Sequence, residues 1–552
     1  MALGDSKLGP LKSSGLEHPC TGRRCATRRL WLAVLLAALL VTASCASGDD
    51  GATGPGSTTS AGSDNAQPGT TAVEGPTSTG AAAGADGGGP SDPDGSGRDC
   101  SPRNSADVRL TGSSPQRASI KISQATYDCA HEVGIAFATD AAAVSTLQSQ
   151  QITGPLLFVD HQFDGPLADE LGRLAPNKIV AVGIDDRRLN GELAGFVLES
   201  VNVDRQARLA PQSMAYDRVW LVDNYTEAVP LAVLGNQIGV KVITVVGDLR
   251  AASDEERETI ADAVEVELLS DFGDDVIGQL EVLRHGSELP GGGFVLFDPD
   301  QPRRLVAMYG HPQTSGLGVL GEQGLDQSIE RLRSIAEGYD ADGYTVLPTF
   351  EIIATVAAGS AGYDGNFSNE TALDVIRPWI EVAAANDVYV VLDLQPGLTD
   401  YLSQAKLYEE FLRLPHVGLA LDPEWRLKDG QRHLEQIGTV DAAEINQVVE
   451  WLAGIVREDS LPQKLLVLHQ FRHSMITNRH LVETPSELAV LIHMDGQGRL
   501  STKYSSWNAL TRQPDADRFY WGWKNFYDED SPTARPDQVL ALTPTPLFVS
   551  FQ

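Results

Sequence analysis

Residues 418–424 read Gly418-Leu419-Ala420-Leu421-Asp422-Pro423-Glu424, and the alternation within them decides the fold of the second half of the chain. Side chains alternate between the two faces of a strand. Period two puts Gly418, Ala420, Asp422 and Glu424 on one face and Leu419 and Leu421 on the other. The leucine face suits packing against helices, and the small residues suit the crowded interior of a closed barrel. The same parity sends both carboxylates to the mouth of that barrel. One strand earlier, Val391, Asp393 and Gln395 repeat the arrangement.

Working outward, residues 300–552 hold eight candidate strands: 304–309, 345–352, 388–395, 418–424, 464–470, 488–494, 518–523 and 546–552. Helical patterns at 325–337, 372–385, 401–412 and 442–457 fall between the earlier ones. About 250 residues is the usual size of a (β/α)8 barrel, and barrel sites lie at the C-terminal ends of the strands. Several of these strands turn polar at that end: at Glu351, at Asp393 and Gln395, at Asp422 and Glu424, at His469 and Gln470, and at His493 and Asp495.

Paired carboxyl groups are what glycoside hydrolysis needs, one to protonate the leaving oxygen and one to activate water or attack the sugar. Crowding raises the pKa of one member and makes it a usable acid near neutral pH. Asp-x-Glu at the end of the fourth strand resembles the family 18 chitinase-like enzymes and the family 25 lysozymes. The resemblance implies that Glu424 is the proton donor and Asp422 the assisting carboxylate. Asp393 and Glu351 complete the candidate catalytic set. Trp425 follows Glu424, and Trp521 and Trp523 end the seventh strand, so these three are candidate cleft walls for stacking sugar rings. Gln395, His469 and His493 are candidate substrate contacts. His469 and His473 stand four apart, but no third ligand is evident beside them, so no metal is expected. No glycine-rich phosphate loop with a following Lys-Ser/Thr occurs, and no organic cofactor is expected.

From about 130 to 290, continuous apolar runs such as 133–137, 156–159, 178–183, 219–222 and 241–247 alternate with amphipathic stretches. Such runs predict strands buried on both faces of a helix-covered parallel sheet, a doubly wound α/β domain. Residues 135–160 echo 220–248: strand, Ala-rich helix, strand, then Asp. The segment from Gly154-Pro155-Leu156-Leu157-Phe158-Val159-Asp160 to Val182-Gly183 resembles the bacterial cell wall binding repeat 2 family, which implies a polymer-binding role for this half.

The N-terminus addresses location. Arg23, Arg24, Arg28 and Arg29 precede an apolar run of 12 at 30–41, the pattern of a signal peptide. Thr42-Ala43-Ser44-Cys45 resembles a lipobox, which implies lipidation of Cys45; simple secretion and a retained anchor are the alternatives. Residues 46–98 are Gly, Ser, Thr, Ala, Pro and Asp with almost nothing large, and read as a flexible tether. Cys100 and Cys129 are left as an even pair in an oxidising compartment. A disulfide between them would close a loop of about 30 residues, worth roughly 3–4 kcal/mol on the chain-entropy account.

Composition bounds the rest. The apolar fraction of 42% and charged fraction of 21% describe a globular chain. The net charge of −33 excludes a basic nucleic-acid or anionic-lipid surface, and cleavage before Cys45 would deepen it to −37. The expected organisation is a signal peptide at 1–44, a lipidated Cys45 and tether at 45–99, the α/β domain with two repeat-like units at 100–295, and a TIM barrel at 296–552. The expected protein is exported and lipid-anchored on the outer face of the cell membrane. Its barrel would hydrolyse a wall or extracellular polysaccharide; the alternative is a non-catalytic, glycan-binding lipoprotein. Its partners would be that polysaccharide and the membrane, with no nucleic acid.

Overall fold

The structure, a computed structural model, describes residues 99–103, 108–160, 163–185, 193–209, 216–341 and 343–552. The expected signal peptide, Cys45 and the tether lie outside the described residues. Among the described residues, no helix is long and apolar enough to cross a membrane.

Two small parallel sheets come first. One has strands β1 (Glu132–Phe137), β2 (Leu156–Val159), β3 (Lys178–Val182) and β4 (Leu198–Val201) in the order β2-β1-β3-β4. The other has β5 (Arg218–Val222), β6 (Lys241–Thr244) and β7 (Glu265–Leu268) in the order β6-β5-β7. The echo in the sequence is thus a repeated topology, with the central strand first in each unit. In each unit the central strand pairs in parallel with both neighbours: Gly134 with Leu156 and Glu132 with Lys178 in one, Val219 with Lys241 and Arg218 with Glu265 in the other. The sheet is therefore split in two rather than continuous.

The two units meet through their first helices. Ala143, Val144 and Leu147 of the helix Ala141–Ser149 share one buried cluster with Leu231, Val233 and Leu234 of the helix Tyr225–Ile238. Opposite faces of the strands are covered too. Val133, Ile135, Leu157 and Val159 pack on Leu167, Leu171 and Leu174 of the helix Gly165–Leu174. Asp140 and Asn224, at equivalent places, cap their helices by accepting from backbone N–H groups. Cys100 and Cys129 are joined by a disulfide.

The second half is a closed barrel of parallel strands. Its staves are β8 (Arg303–Gly310), β9 (Thr345–Ala357), β11 (Tyr389–Leu394), β12 (Val417–Leu421), β14 (Lys464–His469), β16 (Leu488–Met494), β17 (Tyr520–Asn525) and β18 (Phe548–Phe551). β18 pairs with β8 and closes the ring, as Phe548 meets Leu305 and Phe551 meets Met308. β10 (Ser368–Glu370) folds back antiparallel on the long β9 as a hairpin above the barrel. β13 (Val440–Asp441) and β15 (Ile476–Thr477) form a separate two-strand pair. The fold class is α/β with a TIM-like barrel.

Parity sorts the barrel residues. Leu305, Ala307, Leu347, Val391, Ala420, Leu465, Val467, Ala489, Leu491 and Phe548 fill the interior, and Leu289, Leu296 and Phe297 from the segment before β8 join them. The odd-numbered leucines of β12 instead join the core between barrel and helices, with Val390, Leu392, Ile445 and Leu452. Tyr389 crosses the interior, and its hydroxyl accepts from Leu465 N at 3.1 Å. That is why position 418 is glycine: a Cβ there would lie 2.6 Å from Leu465 O and 3.0 Å from the Tyr389 hydroxyl. Gly418→Ala should therefore cost about 1–3 kcal/mol by overpacking, read as a lowered urea midpoint with an unchanged slope.

Lys464, at the opposite end of the barrel, is fully buried and donates to Leu414 O at 2.6 Å and Val417 O at 2.8 Å. Burial pushes its pKa down to about 7. The unfolded chain then binds more protons than the native one between about pH 7 and 10.4, so stability rises with pH across that window, by up to about 1.4 kcal/mol per unit. Denaturant titrations at pH 7 and pH 9 should show the wild type gaining on Lys464→Met; parallel behaviour would refute the burial account.

Candidate active site

The interior-facing parity continues past the apolar floor and changes chemistry. Tyr309, Glu351, Asp393, Asp422, His469, His493, Lys524 and Ser550 come one from each stave or its first following residue, all buried. Asp495 and Gln395 lie one step beyond their strands, at 7% exposure each. This layer sits at the C-terminal ends of the strands.

His469 ties the layer together. Its Nδ1 lies 2.9 Å from Asp495 Oδ2, and its Nε2 lies 3.0 Å from Glu351 Oε1 and 3.8 Å from Asp393 Oδ1. Tyr309 donates to Asp393 Oδ2 at 2.8 Å. Lys524 Nζ sits 3.3 Å from the centre of the Tyr309 ring, a cation–π contact. His493 Nε2 is 2.8 Å from Ser550 Oγ. Glu351 Oε2, Asp393 Oδ1 and Asp495 Oδ1 are buried without a hydrogen-bond partner.

The charges pull one another's pKa values apart. Burial, opposed by the charge of His469 and reinforced by Glu351, raises Asp393 to about 6. Burial and the neighbouring Asp393, Asp495 and Glu424 push Asp422 well above the usual carboxylate range, against the pull of His469. Burial and Asp495 raise Glu424 to about 7. Burial works against ionisation of Asp495 too, yet its bond to His469 and that ring's charge hold it below the ordinary value. Burial alone would lower His469; its bonds to Asp495 and Glu351 and the charge of Asp393 outweigh this and raise it well above 6.5. Burial and the charge of His469 push His493 well below 6.5.

The structure brings Glu351, Asp393, Asp422, His469 and His493 together, with several corrections to the sequence reading. Strand β12 ends at Leu421, so period two does not carry Glu424 to the mouth. Pro423 has no N–H for the ladder, and Asp422 accepts from Glu424 N at 3.1 Å to cap a short 3-10 turn at Pro423–Trp425. Glu424 is half-buried there and more accessible to solvent than Asp393, Asp422 and Asp495. Trp425 is also half-buried, with its ring 5.4 Å from that of His433.

Gln395, His469 and His493 are not surface contacts. Gln395 donates to the Tyr309 hydroxyl at 3.2 Å and accepts from Ala357 N at 3.0 Å, fixing the β9–β10 hairpin to the mouth. Trp521 and Trp523 are no cleft walls. They lie on the outer parity of β17 and pack on Trp507 at 5.7 and 5.9 Å between barrel and helices. Their neighbour Lys524 faces inward instead. His473 is exposed in a short 3-10 turn after the strand and does not pair with His469.

Sequence reasoning missed Tyr309 and Lys524. The signal was available in both cases: Tyr309 shares parity with Leu305 and Ala307, and Lys524 with Gly522 and Tyr520. An open cavity of about 350 Å³, lined by His311, Thr314, Val356, Glu370 and Val375 among others, lies on the outer flank of β9 and β10. No mouth carboxylate lines it.

No family model and no curated protein matches the chain. Among solved structures it is similar to Cwp6 from Clostridium difficile, at 10% identity and a TM-score of 0.17 over 57% of this chain. The match spans 62% of that structure's length, and at such a score it bears on neither fold nor function.

Tyr309→Phe removes a donor from a carboxylate that already has one unpartnered oxygen. The expected cost is about 1–3 kcal/mol of stability, read from urea unfolding; an unchanged midpoint would mean that the Tyr309–Asp393 bond carries no weight.

Proposed function

We propose that the barrel is a glycoside hydrolase acting on a wall or extracellular polysaccharide, with Glu424 as the acid/base and Asp422 and Asp393 assisting. The observation that carries this reading is the placement of Glu424. It is half-buried at the C-terminal face of a closed barrel, with Asp422, Asp393 and Asp495 more deeply buried near it. An accessible carboxyl backed by further carboxylates has the composition that glycosidic cleavage requires. Trp425, half-buried beside Glu424, offers a ring face for a sugar. Glu351 serves through His469 rather than by touching substrate, because both are fully buried. The proposed setting is an exported protein whose Cys45 carries lipid, whose residues 46–98 act as a tether, and whose α/β half, from about residue 100 to 295, holds polymer.

Burial of Glu351, Asp393 and His469 at 0% exposure favours one second reading, a mouth that binds glycan without cleaving it. Turnover separates the two. Wild type should release products from wall glycan or chitin-type oligomers, and Glu424→Gln should lower kcat by about 10²–10⁴-fold. Equal turnover in both proteins removes Glu424 from the chemistry. Wild type that binds the oligomers without turnover supports the binding reading.

A further inference from the structure

We propose that Asp422, His469 and Asp495 form a site for one first-row divalent cation, Mn²⁺ or Zn²⁺, at the barrel mouth. The inference goes beyond the hydrolase reading and stands whether or not a glycan is cleaved.

The three residues end the adjacent staves β12, β14 and β16, and each offers a ligand atom within 4.8 Å of the others. The His469 ring is oriented for the task. Its Nε2 lies 3.0 Å from Glu351 Oε1 and its Nδ1 lies 2.9 Å from Asp495 Oδ2, so each ring nitrogen faces a carboxylate and Glu351 backs the side away from Asp495. A carboxylate behind the imidazole is the usual way in which a ligating histidine is held in place and made more basic. The 2.9 Å between Nδ1 and Asp495 Oδ2 is also what two ligands of one ion show. Donors at about 2.1 Å and near right angles stand about 3 Å apart. An ion here would take the place of the Nδ1 proton.

An independent observation points the same way. Asp495 Oδ1 is buried in this cluster with no hydrogen-bond partner, on a side chain 5% exposed. Leaving a carboxylate oxygen buried and unsatisfied is costly, and a cation supplies what no protein donor supplies. One imidazole among carboxylates suits Zn²⁺ or Mn²⁺ better than the all-oxygen preference of Ca²⁺. Three protein ligands leave open positions for water or substrate, the pattern of catalytic rather than structural ions.

The test uses the full chain, stripped with a chelator and dialysed, and titrated with MnCl₂ and with ZnCl₂ by calorimetry. The expected result is one ion per chain, a rise in Tm on loading, and affinity lowered at least tenfold in Asp495→Asn. Glu351→Gln, which keeps the three ligands, should weaken binding about 10- to 100-fold. Pulsed electron paramagnetic resonance of the Mn²⁺-loaded wild type should show coupling to a single imidazole nitrogen, a readout that needs no variant to fold. The proposal is overturned if neither ion binds more tightly than about 1 mM. It is equally overturned if Asp495→Asn binds like wild type, or if bound Mn²⁺ shows no nitrogen coupling.

Discussion

An imidazole at 0% exposure, held between Asp495 on one side and Glu351 on the other, is the contact on which the mouth of this barrel depends. Carboxylates from several staves converge where the apolar interior ends. Ionised carboxylates in a buried setting repel one another and lose water, and each cost is several kcal/mol if unmatched. His469 answers from the middle of the ring, and Lys524 answers over the Tyr309 face. What they leave unmatched appears as raised pKa values at Asp393, Asp422 and Glu424 and as orphaned carboxylate oxygens. A layer tuned only for stability would hold fewer charges. Concentrated, imperfectly paired charge at the strand ends is the pattern of a working site.

The barrel makes that concentration possible. Closure of β18 on β8 removes the sheet edges, and the helices cover the outer parity. The inner parity is apolar below and ionisable above, with Tyr389, Gly418 and Leu465 fitted tightly in the lower interior. A rigid floor fixes the spacing of the side chains it carries. Glu424 and Trp425, the more accessible side chains, stand on a capped turn rather than on the strand.

Much of this was legible in the sequence because period two is strict within a strand. All eight staves fall within a few residues of their expected places, and Asp393, Asp422 and His469 face where alternation sends them. The reading failed where a backbone hydrogen bond replaced the pleat. Pro423 and the Asp422 cap ended β12 three residues early, and Glu424 reached the mouth by a turn. Trp521 and Trp523 misled for the opposite reason: alternation was intact, but their inward neighbour Lys524 was overlooked beside two large aromatics. Pairings across the ring, such as Tyr309 with Asp393 or His469 with Glu351, join residues dozens of positions apart and leave no local signature. The split of the first half into two units of like topology was visible only as an echo, because sequence shows a repeat without showing which strands pair.

The most direct test of the central claim, that the mouth behind Glu424 is where a glycan meets the protein's chemistry, is a crystal structure of the Glu424→Gln chain soaked with a wall-glycan oligomer. The account predicts a glycosidic oxygen within hydrogen-bond distance of the side-chain amide introduced at position 424 and a sugar ring against Trp425. Oligomer bound elsewhere on the chain, with the mouth untouched at saturating concentration, would contradict it.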